Sequence, residues 1–440
     1  MYRTPSSTGN RKKFTNSFWY KRGAKLGDYQ ALPSVHTTES GGSFGMYFST
    51  ANVLHVFTYY SGSWAGLHYS NRVFRDVSAW YHFVWVVDTT EAIASERVRI
   101  FINGVRETSW SSESYPSLNQ DTSFNNSGEQ HNVGKDANGS YYVDGYGAEM
   151  HYIDGYSYDP EYFGEFDENG IWIPKKYTES YGTNGFYIKG SDSGSLGTDS
   201  SGNGNNLTVS GLASNDQKID TPTNNQITFN PLNNQRSGGN PQNGNLQYDG
   251  PGTRTVISLT ANIPSTGKWA VAFSAAAVST NAGWQFGVTK ANNTNFGDAA
   301  GSNEDIGGQD NDGIQMSPSS SDLQLYDYTT STSIDPSLPI TTSDEFWLAV
   351  DMATGKCFLG IYDESATTMK FVAADTGLDG NPATGDNPSV TISAMIGSND
   401  YTFAAGSKDT SNDVTLLRST EVSGTTPTGY TYFENVKDLI

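Results

Sequence analysis

The stretch Trp80–Glu107, WYHFVWVVDTTEAIASERVRIFINGVRE, holds two strand-like runs closed by an Asn103-Gly104 turn. In the first run, aromatic and branched residues fill nearly every position from Trp80 to Val87, the pattern of a strand buried on both faces. The second alternates. Val98, Ile100 and Ile102 share one side and Arg97, Arg99, Phe101 and Asn103 the other, which is the two-residue period of a half-buried strand. Asn-Gly supplies the two positive φ values of a type I′ turn, so the chain folds back through Val105. A hairpin alone fits any all-β protein and names no function.

Working outward, the chain of 440 residues suggests two or three domains at roughly 150 residues each. Charged residues make up only 17%, while Gly (47), Tyr (26) and Phe (21) are abundant. That composition suits short strands joined by tight turns and not amphipathic helices. A net charge of −21 argues against nucleic acid as a partner, since binding a polyanion needs clustered Lys and Arg. The basic residues before Asp28 (Arg3, Arg11, Lys12, Lys13, Lys21, Arg22, Lys25) are interrupted by Phe14, Phe18, Trp19 and Tyr20 at strand spacing, which reads as a strand face more readily than as a docking arm. The single cysteine, Cys357, lies in an apolar run and reads as a small buried residue. No stretch approaches the roughly 20 apolar residues that cross a bilayer, and the N-terminus lacks a secretory h-region. Assembly in a cytoplasm without membrane insertion is the expectation.

Strand patterns with turn signals run from the N-terminus to about Gly190. The segment Asp159–Tyr177, DPEYFGEFDENGIWIPKKY, reads as a short helix or ordered loop covering one edge of a sandwich. Residues 191–245 are poor in large apolar side chains and read as a Gly/Asn/Ser-rich connector packed on both neighbours, pinned by Leu207, Val209, Leu212, Ile219, Ile227, Phe229 and Leu232. Strand patterns resume over 246–440, with a second strand pair at Glu345–Asp363. The expectation is all-β: two tandem antiparallel jelly-roll sandwiches, over 1–190 and 246–440.

AWYHFVWVVDTT followed by RVRIFINGVRE resembles the central strands of concanavalin A-like, laminin G-type lectin and glucanase domains. RTPSSTGNRKKFTNSFWYKRG resembles their opening strand and YVDGYGAEMHYIDGYSYDP their closing one. The arrangement from Ala148 through Gly211, followed by DTPTNN at Asp220–Asn225, is similar to structural proteins of marine tailed phages. GKWAVAF (Gly267–Phe273), WQFGV (Trp284–Val288) and DEFWLAVDMATGKCFLGIY (Asp344–Tyr362) make the second half similar to SPRY-like sandwiches. The resemblance implies a non-catalytic virion protein: a fibre, appendage or head decoration touching host-surface glycans or neighbouring virion subunits. It would be a homo-oligomer, since weak glycan contacts gain strength from multivalency.

The alternative is a polysaccharide depolymerase of the same fold. Glucanases of this kind use two carboxylates, and Glu165-Phe-Asp167-Glu168-Asn-Gly170 begins like their motif but has Gly170 where the acid/base Glu belongs. No G-x-S-x-G occurs, and the histidines lack metal-ligand spacing; His82 and His151 read as hydrogen-bonded sheet residues. No enzyme activity and no cofactor are therefore expected, apart from a candidate structural calcium at Asp310 and Asp312 or in the Asp199–Asn205 turn, where Asp/Asn/Gly clusters are mostly just turns. Sugar binding asks for exposed aromatic rings beside polar side chains. Tyr59, Tyr60, Trp64, Tyr69, Trp110, Tyr141, Tyr142 and Tyr146 qualify; Trp64 and Trp110, set among Ser and Gly, are the least core-like, and Tyr141 and Tyr142 join them as carbohydrate-binding candidates.

Overall fold

The structure is a computed structural model that describes residues 1–36, 43–60, 63–136, 139–234, 239–250, 255–276, 284–291, 306, 314–318, 323–327, 330–334, 340–374, 377–407 and 413–439. The chain is all-β, with helix only as short 3₁₀ turns among the described residues. It divides into two compact units, Met1–Asn225 and Gln226–Ile440.

In the first unit the Trp80 hairpin sits in a six-stranded antiparallel sheet, ordered Phe186–Ile188, Gly145–Asp154, Lys13–Arg22, Trp80–Asp88, Val98–Ile102 and Val105–Arg106. Asn103 and Gly104 have φ of 50° and 78°, the two positive values the turn demands. Phe83, Trp85 and Val87 enter the core with Val98, Ile100 and Ile102, while Val84, Val86 and Phe101 pack on the opposite face. The second sheet has seven strands: Tyr2–Arg3, His131–Val133, Gln30–His36, Ser43–Phe48, Val53–Tyr60, Ser63–Val73 and Trp110–Ser114. Its Leu32, Met46, Phe48, Leu54 and Val56 close the core from the other side.

The segment expected as a short helix at the sandwich edge differs in the structure. Only Pro160–Tyr162 forms a 3₁₀ turn; Gly164–Phe166 and Trp172–Pro174 then pair as a hairpin. Asp167 Oδ1 accepts the N–H groups of Asn169 and Ile171, and Phe166 packs edge-on to Trp172 at 4.9 Å. With Phe163 and Tyr177 this segment covers the outer face of the six-stranded sheet over Val84, Val86 and Ile153.

The expected connector divides between the units. Leu207 is buried in the first core, Ile227 and Phe229 in the second, and Leu212, Ile219 and Leu232 stay exposed. Residues 191–211 fold on polar bonds instead of apolar burial. Asp199 accepts the N–H groups of Tyr187, Ser201 and Asn205 and the Ser201 hydroxyl, while the Asn203 and Asn205 amides donate to the Gly182, Thr183 and Gly185 carbonyls. These bonds occupy the Asp199 carboxylate that the sequence offers as a calcium ligand.

The second unit is also two sheets, antiparallel but for Thr431–Tyr432, which pairs parallel to Lys268–Ala275. One runs Phe229–Asn234, Thr255–Leu259, Tyr401–Ser407, Gln285–Lys290, Ile314–Pro318, Leu323–Asp327 and Thr330–Ile334; the other centres on Lys268–Ala275, Glu345–Asp351 and Lys356–Asp363. Between them lie Trp284, Phe286, Phe346, Leu348, Tyr401 and Phe403. Cys357 is buried here, and burial pushes its thiol up to about 12, so it packs as an inert apolar group.

Asp154 ties the first unit together. Buried at the end of its strand, it accepts N–H groups from Asn10 (2.8 Å) and Asn184 (3.0 Å) and the Asn125 amide (2.9 Å). Asp154→Ala takes the acceptor from the buried Asn184 N–H and from one of the two bonds of the Asn125 amide, and chemical denaturation of that variant is expected to show a loss of about 2–3 kcal/mol.

Candidate functional site

The outer faces of the two sheets in the first unit are treated differently. On the six-stranded sheet the cover buries a histidine-aromatic network. Trp172 Nε1–H donates to His82 Nδ1 at 2.9 Å, which leaves the ring proton on Nε2 to be donated to Ser17 Oγ at 2.8 Å. A serine nucleophile would need the reverse, a ring nitrogen accepting its proton. His82 is stacked on Trp19 at 4.7 Å, and burial lowers it to about 3. His151 lies nearby, stacked on Tyr187 at 4.2 Å and hydrogen-bonded to the Tyr181 hydroxyl, and is also held neutral by burial. This network fixes the cover.

The outer face of the seven-stranded sheet carries aromatic rings in register. Along Val53–Tyr60, Leu54 and Val56 turn inward, so His55 and Phe57 turn outward; along Ser63–Val73, His68 and Ser70 turn inward and Leu67 and Tyr69 outward. Tyr47, His55 and Tyr69 stand opposite one another across three strands, with Gly45, Phe57 and Leu67 forming the next row. The His55 and Tyr69 rings stack at 3.9 Å, those of Tyr47 and Phe57 at 4.8 Å. Gly45 is needed there, because a Cβ would sit 2.7 Å from the Tyr47 ring. His55, Phe57 and Tyr69 are half-buried, with ring surface open to solvent. Burial lowers the His55 pKa below its usual 6.5, so the ring is neutral at neutral pH and stacks without a charge.

Beside Tyr47 on the next strand is Ala31, and Tyr29 precedes it. The backbone carbonyl of Tyr141 accepts the Ala31 N–H at 3.0 Å, bringing the Tyr141 ring to 5.2 Å from that of Tyr29. Asp136 shapes this loop by accepting the N–H groups of Ser140 and Tyr141. Tyr29, Tyr141 and Tyr142 are 41%, 42% and 59% exposed, which makes this end of the face the most accessible aromatic surface near the sheet among the described residues. Pyranose rings present flat C–H faces that stack on such rings, while nearby carboxylates and amides take their hydroxyls.

Of the residues singled out from sequence, Tyr141 and Tyr142 lie at this face and Tyr69 within it. Trp110 pairs with Ser70 and turns inward, its ring edge-on to His68 at 5.2 Å and packed against the core. The reason is parity: Ser70 faces the interior, so its cross-strand partner does too. Trp64 is paired with Tyr59 in the adjoining hairpin, and its side chain lies outside the described residues, as do Asp310 and Asp312. Glu165 is exposed on the cover hairpin, 3.8 Å from Lys175, and Asp167 is engaged in its turn. Sequence reasoning missed Tyr29 and His55. The signal for His55 was present in VLHVF, where it and Phe57 have the parity opposite to Leu54 and Val56.

Residues 2–155 match the family described as the concanavalin A-like lectin/glucanases superfamily. The first unit is thus a concanavalin A-like sandwich, a class that holds both sugar binders and glycosidases. A search of curated proteins gives no match. Among solved structures, the TRIM65 PSpry domain is similar at 13% identity over 44% of this chain and 92% of that chain, with a TM-score of 0.30. Mouse laminin α1 domains LG4-5 give 6% identity over 91% of this chain and 81% of that one, with a TM-score of 0.26. Tailspike protein 2 of the Escherichia coli O157:H7 bacteriophage CAB120 gives 11% identity over 37% of this chain and 22% of the tailspike, with a TM-score of 0.25. At these TM-scores the likenesses carry no functional inference.

The buried histidines make stability pH-dependent. His82 is lowered to about 3, and His68 and His131 to about 4, in each case chiefly by burial. The unfolded chain takes up these protons near pH 6.5 and the folded chain does not, so stability is full above 6.5 and falls as pH drops towards 4. Each histidine is expected to cost on the order of 1–2 kcal/mol by pH 5, read by denaturant titration at successive pH values. His82→Gln should flatten that slope.

Proposed function

We propose that the protein is a non-catalytic, carbohydrate-binding structural component of a virion, a fibre, appendage or head decoration, whose first unit holds glycans on the aromatic face formed by Tyr29, Tyr141, Tyr142, His55, Phe57 and Tyr69. The observation that carries the binding role is the in-register row of half-exposed rings on one outer sheet face, beside the exposed tyrosines of its flanking loops. The concanavalin A-like match of residues 2–155 supports sugar as the ligand class. The virion setting rests on the resemblance of Ala148–Gly211 and the following DTPTNN segment to phage structural proteins, with other virion subunits as partners and assembly in the host cytoplasm. A chain of net charge −21 repels polyanionic sugars, so neutral glycans are the preferred ligands. Copies in an oligomer would add avidity to weak single-site contacts.

Microarray binding of the full chain to neutral glucans, dextran and laminarin among them, tests this reading. Tyr29→Ala and Tyr141→Ala are expected to weaken binding about tenfold each without unfolding the protein. Incubation with the same glucans should release no reducing ends. Turnover that Glu165→Gln abolishes would establish the depolymerase reading instead, and an absence of glycan binding at high protein concentration would leave a purely structural virion role.

A further inference from the structure

The DTPTNN segment does more than end the first unit. Lys21 lies on a strand whose residues from Phe14 to Arg22 are all buried, and its side chain is 1% exposed. Its ammonium donates to Asp220 Oδ2 at 2.8 Å and to the side-chain carbonyl Oδ1 of Asn225 at 2.7 Å. The other Asp220 oxygen accepts the Trp80 indole N–H at 2.8 Å, and the Asn225 amide nitrogen donates to the Ser78 carbonyl at 2.7 Å. The Tyr146 ring lies 5.8 Å from Lys21 Nζ, and Trp80 and Tyr146 lie 6.2 Å apart.

A buried primary amine and a buried carboxylate are thereby held against a half-buried carboxamide. The Ser78 carbonyl fixes which way the Asn225 amide points, so its carbon lies one bond beyond the atom that Lys21 already touches. We propose that Lys21 and Asn225 join in an intramolecular isopeptide bond, with Asp220 as the proton carrier. Asp220 takes one proton from the ammonium, and the freed Nζ lone pair forms a bond to Asn225 Cγ while the Cγ=Oδ1 π pair moves onto the oxygen. That pair returns to re-form the carbonyl as the Cγ–Nδ2 bond breaks, whose electron pair leaves on nitrogen. Asp220 returns its proton to that nitrogen and the second Nζ proton follows. One ammonium and one carboxamide become one secondary amide and one ammonium ion, and Asp220 ends as it began. No oxidant or further reactant is needed. Fixed proximity of the three groups replaces a bimolecular encounter.

The bond would close a loop between positions 204 residues apart, tying the last residue of the first unit to a central strand of its sheet. The intact mass of the purified full chain decides the matter. It is expected to fall short of the sequence mass by one ammonia, with a branched tryptic peptide containing Lys21 and Asn225. Lys21→Met and Asn225→Ala should both restore the full mass, and Asn225→Ala keeps the Lys21–Asp220 pair, so its folding is preserved. Asn225→Asp should lose one water instead of one ammonia. A native chain at full sequence mass overturns the proposal. So does an ammonia loss that persists in Lys21→Met, which would mark cyclisation of an asparagine.

Discussion

Until Lys21 reacts, the first unit depends on a charge buried where no charge can stay alone. Lys21 is almost inaccessible on a fully buried stretch of strand, and Asp220 meets it 2.8 Å away with its own side chain only 3% exposed. Breaking such a pair by removing one partner typically costs about 3–5 kcal/mol, because the remaining charge is left in a poor solvent. The chain must therefore bring residue 220 back to the strand that begins near residue 13. Everything between the closing strand at Phe186–Ile188 and Asn225 is constrained by that return, which is why a stretch poor in apolar residues belongs to the first compact unit.

The same principle recurs at Asp154, which gathers donors from separate segments, and at Asp199, which gathers those of its own turn and of Tyr187 on the adjoining strand. Polar hubs do at this sandwich's edges what apolar burial does between its sheets. They also prepare the two outer faces for different uses. The His82 and His151 network anchors a cover over the six-stranded sheet, whereas the aromatic rows of the seven-stranded sheet remain half-open, with exposed tyrosines at one end. A sandwich with one face sealed and one face bearing rings is equipped to hold a flat ligand while keeping a rigid frame behind it.

Much of this was legible in the sequence. The Trp80 hairpin, the parity of Val98, Ile100 and Ile102, the two-sandwich plan and the buried Cys357 follow from periodicity and turn chemistry, which are local. The partners of Lys21 lie 199 and 204 residues away in sequence and those of Asp154 between 29 and 144, and no local pattern announces them. The 191–225 stretch misleads for the same reason: its asparagines and Asp199 look like solvated turn formers until Asn203 and Asn205 donate to the Gly182, Thr183 and Gly185 carbonyls and Asp199 accepts the Tyr187 N–H. Trp110 misleads differently. Its Ser-rich surroundings suggest exposure, but strand pairing assigns it the inward parity of Ser70. Within the Asp159–Tyr177 cover, Asp167 closes a turn that sets Phe166 opposite Trp172 as cross-strand partners, a pairing of residues six apart that helical spacing does not suggest.

The central claim is that sugar is held on the outer face of the seven-stranded sheet. Hydroxyl-radical footprinting of the full chain with and without a neutral glucan oligosaccharide tests it side chain by side chain. The expected result is protection of Tyr29, Tyr141, Tyr142 and Tyr69, with the exposed Tyr162 on the cover unchanged. Protection confined to the cover, or no change at any of these rings when the glucan is bound, would contradict it.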